Sequence, residues 1–136
     1  MRYLDTSIPV CVFIGEPAEK FETCKSIMDS INSGGEQART NAFTVAEIYH
    51  ILSREHTQPG EITGDISRFL DCAGLRVSDI SAEMSIPALK LSTERGIDFV
   101  DAHHVLTMRE HGIKEIYSLD PHFDKFSWIK RLEKIP

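Results

Sequence analysis

Apolar positions along the chain recur first at the period of a strand and then at the period of a helix, and the two alternate from one end to the other. Arg2-Tyr3-Leu4 reads as a short strand that stops at Asp5-Thr6-Ser7. Phe21, Cys24, Ile27, Met28 and Ile31 share one helical face, which predicts a helix over Pro17 to Ile31 with Gly34-Gly35 beyond its end. A strand is expected around Ala38 to Thr40, then a helix from about Val45 to Arg54 capped by Asn41 or Thr44. Gln58-Pro59-Gly60 interrupts the pattern. A helix within Ile62 to Cys72, a strand at Leu75-Arg76-Val77 and a helix ending near Arg95-Gly96 come next. Asp98 occupies the cap position of a further helix carrying Val100, Val105 and Met108 and closed by Gly112. Ile116-Tyr117 then leads through Ser118 and Leu119 to Asp120-Pro121, and the tail from Phe126 to Ile135 supplies a last strand or packs across the sheet edge.

That order predicts a three-layer α/β/α fold with a central parallel sheet of four or five strands. No repeat, low-complexity tract or linker divides the 136 residues, so one domain over 1–136 is expected, large enough to bury roughly two-thirds of its unfolded surface. In such sheets ligands bind beyond the carboxyl ends of the strands. Asp5 and Asp120 both fall at such ends, although Asp5-Thr6-Ser7 also has the composition of a turn or cap leading into Ile8 to Ile14.

Composition narrows the classes. Hydrophobic content of 41% and charged content of 26% fit an ordinary soluble protein. No apolar run approaches the ~18 residues of a membrane span, and no basic-then-apolar leader opens the chain. Cys11, Cys24 and Cys72 are odd in number and form no C-x-x-C pair, so small buried hydrophobes in a reducing cytoplasm are expected. A formal charge of −6 argues against a broad basic surface, but a carboxylate cluster neutralised by divalent ions inflates such a count.

Five acids stand out: Asp5, Glu47, Asp98, Asp101 and Asp120. Several ionised carboxylates brought together repel, and either take up a proton or bind a cation. Oxygen-only ligands suit Mg²⁺ or Mn²⁺, which can acidify a bound water and orient it toward a phosphodiester. No nucleophilic Ser or Cys is required.

The chain resembles the PIN-domain nucleases, and within them the VapC-like toxins of bacteria and archaea. The resemblance rests on Tyr3-Leu4-Asp5-Thr6-Ser7, Thr44-Val45-Ala46-Glu47-Ile48, Asp98-Phe99-Val100-Asp101-Ala102 with Glu110-His111-Gly112, and Tyr117-Ser118-Leu119-Asp120-Pro121-His122-Phe123-Asp124. It implies a metal-dependent endoribonuclease with Mg²⁺ or Mn²⁺ as cofactor and RNA as substrate. Asp5, Glu47, Asp101 and Asp120 are then the catalytic acids, and with Asp98 the metal-binding set. Asp101 is favoured over Asp98 as the inner ligand because Ala102 follows it. Thr6 and Ser118 are expected to position a ligand or contact phosphate. The resemblance further implies a homodimer built on apolar residues of the early helices and a small antitoxin partner. An RNA-processing enzyme without an antitoxin is the alternative within the family.

Other readings fare worse. A phosphatase of the haloacid dehalogenase type needs a second Asp where Ser7 stands. Glu47-x-x-His50 and Asp101-x-x-His104 mimic di-iron ligand pairs, but the strands and breaks leave no room for the four long helices of a di-iron bundle. His103, His111 and His122 are expected to cap, pack or face solvent. A binding module without catalysis would be expected to have lost pocket acids that are all present here.

Overall fold

The computed structural model describes residues 1–55 and 58–136. Strand β1 (Arg2–Leu4) is followed by helices α1 (Ser7–Ile14) and α2 (Phe21–Ser33), with a single 3-10 turn over Ala18–Lys20 leading into α2. Strand β2 (Ala38–Asn41) runs straight into α3 (Ala42–Arg54), then come α4 (Pro59–Leu70) and β3 (Leu75–Ser78). Helices α5 (Ser85–Arg95) and α6 (Phe99–Glu110) precede β4 (Glu115–Tyr117), a 3-10 turn over Pro121–Lys125 and β5 (Lys130–Leu132). The expected last strand is therefore β5, paired in parallel with β4 at the sheet edge.

All five strands are parallel in the order β3-β2-β1-β4-β5. The chain leaves β1 toward one side of the sheet and returns to β4 on the other, so order reverses between β1 and β4. A crevice opens at the carboxyl ends of these two strands. Successive residues face opposite layers. Leu4 and Tyr117 join the core under α1 to α4, while Tyr3 and Ile116 join the core under α5 and α6.

Two elements depart from the sequence pattern. Ile8 to Ile14 forms α1, a helix apolar around most of its circumference and therefore without the period that marks an amphipathic one. Its Pro9 lies in the first turn, where no intrahelical N–H is needed. Helix α3 begins three residues earlier than expected, because Asn41 is the cap and its side chain accepts the Phe43 N–H at 3.1 Å. At the foot of the sheet, Gly74 packs where an added Cβ would overlap the Glu36 carbonyl oxygen. Its own carbonyl accepts the Ala38 N–H at 2.8 Å, at the start of β2.

Candidate active site

Asp5 is the first residue beyond β1 and is 6% exposed. Ser7 Oγ donates to its Oδ2 at 2.6 Å and Ser118 Oγ donates to the same atom at 2.7 Å. Each hydroxyl also accepts a backbone N–H from the loop after β4: Ser7 from Leu119 at 3.0 Å, Ser118 from Asp120 at 2.9 Å. The two strand ends are thereby tied together through one carboxylate oxygen. Among the described residues, Asp5 Oδ1 accepts no side-chain donor and remains available.

Glu47 reaches the same place from α3. Thr6 donates to its Oε1 at 2.7 Å, and His104 Nε2 lies 3.4 Å from that atom. Burial alone would raise the Glu47 carboxyl, but the hydrogen bonds from His104 and Thr6 hold it below the ordinary carboxylate range. Asp101 is in the first turn of α6, and among the described residues its carboxylate accepts no hydrogen bond. Burial, and then the charges of Asp5 and Asp120, push it up to about 7. Asp120 caps the 3-10 turn after β4, taking the His122 N–H on Oδ1 at 2.9 Å, while His122 Nδ1 sits 3.1 Å from the same oxygen. One ligand atom from each of Asp101, Asp120 and His122 lies within 4.8 Å of the others.

These side chains line one cleft of about 430 Å³ that contains Asp5, Thr6, Ser7, Glu16, Glu47, Asp101 and Asp120. Among the described residues no lysine or arginine lines it. A concave site that gathers five carboxylates without a basic side chain has two ways to relieve the repulsion: protonation or a bound cation. The unpartnered Asp101 and the free Asp5 oxygen, in an all-oxygen donor set beside one imidazole, fit a hard divalent ion.

The profile of the PIN domain matches residues 2–129. The chain belongs to the PIN domain family. It is 29% identical to the ribonuclease VapC13 of Mycobacterium tuberculosis over 138 residues, covering 97% of this chain and 99% of that protein. Its fold is similar to that of Mycobacterium tuberculosis VapC20, a sarcin-ricin loop cleaving toxin, with a TM-score of 0.74 at 22% identity over 91% of this chain and 93% of the other. A toxin-antitoxin complex from Klebsiella pneumoniae matches with a TM-score of 0.66 at 16% identity, over 96% of each chain.

In this PIN domain four of the five acids picked from the sequence meet in the cleft, and Asp98 does not line it. Asp98 is exposed and caps α6, its carboxylate accepting the Val100 N–H at 3.1 Å. Its charge reaches Asp101 only as one of the smaller contributions to the raised carboxyl. Thr6 and Ser118, expected to position a ligand or contact phosphate, are buried, and their hydroxyls donate to Glu47 and Asp5. Ser7, which the sequence places beside Asp5 at the end of the first strand, does the same work as Ser118 from the other strand. Glu16, on the cleft rim, carried no signal of its own.

The histidines divide by environment. His103 packs edge-on between Phe43 and Phe99 with centroids 4.8 and 4.7 Å away, and His111 caps the end of α6. His122 is exposed, yet it stands against Asp120. His50 turns away from Glu47 and pairs with Arg54 at 2.7 Å. His56 lies outside the described residues. His104, noticed in the sequence only as half of a di-iron mimic, is the buried neighbour of Glu47.

Proposed function

We propose that this PIN domain is a metal-dependent endoribonuclease that hydrolyses RNA phosphodiester bonds and serves as the toxin of a toxin–antitoxin pair. The observation that carries the reading is the cleft that gathers Asp5, Glu47, Asp101 and Asp120 with no basic side chain among the described residues, where burial and the neighbouring charges raise the Asp101 carboxyl. The ribonuclease name of VapC13 and the toxin–antitoxin complex of the Klebsiella pneumoniae neighbour support the choice of RNA and of an antitoxin partner.

The residues divide the work. Asp5, Asp101 and Asp120 would hold Mg²⁺ or Mn²⁺, with Glu47 holding the ion or one of its waters; when bound, the ion lowers the pKa of water and stabilises charge on the leaving oxygen. Asp5 is held by Oδ2 and presents Oδ1 to the cleft. Glu47 is held by Oε1 and presents Oε2. Because its hydrogen bonds keep Glu47 ionised, it can accept a proton from an attacking water at neutral pH. Ser7, Ser118 and Thr6 orient these carboxylates rather than touching the substrate.

The same reading includes one PIN unit over residues 1–136, a homodimer through apolar residues of the early helices, and action in the cytoplasm. No helix of the described residues is long and apolar enough to cross a membrane.

Purified protein incubated with structured RNA and Mn²⁺ tests the activity. Cleavage is expected for the wild type, lost with EDTA, and reduced more than about a hundredfold in Asp5→Asn with its circular dichroism intact. Equal cleavage by both proteins, or cleavage that persists under chelation, rejects the metal mechanism.

A further inference from the structure

Beneath the cleft runs a buried polar chain that a set of acids alone does not require. Tyr3 is fully buried on β1, and its hydroxyl lies 2.8 Å from His104 Nδ1. His104 is fully buried as well, one turn beyond Asp101, with Nε2 at 3.4 Å from Glu47 Oε1. A second arm passes through three hydroxyls: Thr40 and Thr44 are 2.7 Å apart, Thr44 and Thr6 3.1 Å, and Thr6 and Glu47 Oε1 2.7 Å.

Proton counting fixes what each arm delivers to Glu47. A threonine hydroxyl carries one proton, and an ionised carboxylate only accepts, so Thr6 is the donor to Glu47. Thr6 is also the donor by geometry toward Thr44, so its one proton is shared between the two contacts, and Thr44 is paired in turn with Thr40. On the other arm, an Nε2 lone pair facing the carboxylate would be repelled, so that nitrogen carries the proton. In the neutral form of such a ring Nδ1 is the acceptor, facing the Tyr3 O–H. Burial raises the Tyr3 hydroxyl far above its ordinary range, so it stays a donor. Both arms end on Oε1. Among the described residues Oε2 receives no donor.

We propose that Tyr3 and His104 are positioning residues for Glu47. Tyr3 fixes the Nε2–H tautomer of His104, which with Thr6 holds Oε1 and turns Oε2 into the cleft. The role in catalysis rests on the nuclease reading; the hydrogen-bond assignment does not. A histidine that merely fills the core would sit equally well in either tautomer, and its replacement would leave the cleft chemistry alone. Hydrogen bonds that orient metal-site ligands typically change affinity or activity by about 10- to 100-fold when removed.

Nitrogen NMR of the imidazoles in the metal-free protein, joined to kinetics and Mn²⁺ calorimetry, tests the proposal. The wild type is expected to show His104 protonated at Nε2 with Nδ1 accepting a hydrogen bond, and Tyr3→Phe to lose that single state. Tyr3→Phe should lower kcat about tenfold and weaken Mn²⁺ binding by a similar factor, with KM for RNA within about twofold. His104→Leu should repeat the loss. His104→Gln, which keeps an N–H donor, should recover most of it. This second pair keeps the test valid should Tyr3→Phe fail to fold by circular dichroism. An Nδ1–H tautomer in the wild type overturns the proposal, as does a folded His104→Leu with unchanged kcat and Mn²⁺ affinity. A wild type that neither binds Mn²⁺ nor cuts RNA overturns the nuclease reading instead, and the NMR result still decides the assignment.

Discussion

Each carboxylate in the cleft is held differently, and the differences assign its part. Asp5 and Glu47 are each anchored through one oxygen and leave the other unclaimed. Among the described residues Asp101 accepts no hydrogen bond, and its carboxyl is raised to about 7. A folded carboxyl above its ordinary value stabilises the fold below that ordinary value and loses the contribution as pH rises toward 7. Ionised Asp101 therefore destabilises the metal-free protein at pH 8. Asp101→Asn is expected to raise the thermal midpoint of the metal-free protein at that pH while reducing RNA cleavage more than about a hundredfold. A lower midpoint, measured by calorimetry with EDTA present, would show that the carboxyl is not under electrostatic strain. Asp5, Asp101 and Asp120 were legible in the sequence because they stand at element ends, whereas Glu47, in the middle of α3, was legible only through its flanking residues. The pairing of Tyr3 with His104 was not, since those residues lie 101 positions apart and meet only across a packed layer.

Elements were legible where one face is buried and the other wet. Helix α2, with Cys24, Ile27 and Ile31 inside, carries that pattern clearly. Helix α1 does not: Ile8 and Cys11 are buried, and Val10, Val12, Phe13 and Ile14 are partly covered by the same core, so no polar stripe marks a period. The start of α3 was misplaced for a different reason: Asn41 ends β2 and caps α3 at once, leaving no loop between them. The turn into β2 depends on close backbone approach at Gly74, which composition alone does not reveal. Gly74→Ala is expected to cost about 2 kcal/mol, because the new Cβ must displace the Glu36 carbonyl rather than a flexible side chain. Chemical denaturation measures it, and a cost near zero would mean that this segment yields easily.

At the scale of the whole molecule, the two ends of the sheet respond to pH in opposite senses. Away from the cleft, Glu36 accepts from Arg2 at 2.7 Å and from Tyr117 at 2.8 Å. Burial alone would raise Glu36, but Arg2 first and Tyr117 second hold it below the ordinary carboxylate range. It therefore stabilises the fold above that range, and the contribution is lost as pH falls through it. The thermal midpoint of the metal-free protein is expected to drop between about pH 5 and 3. Glu36→Gln should start lower at neutral pH and fall less over that interval. An identical acid limb in both proteins would remove Glu36 from the account. The parallel sheet places this supporting network at its foot and the repelling acids at the crevice where strand order reverses, so the charge strain falls where a cation can relieve it. A carbon NMR titration of the Asp101 carboxyl, with and without saturating Mg²⁺, measures that relief directly. A midpoint of about 7 without the ion, moved into the ordinary carboxylate range with it, is the predicted result. The same midpoint under both conditions would contradict it.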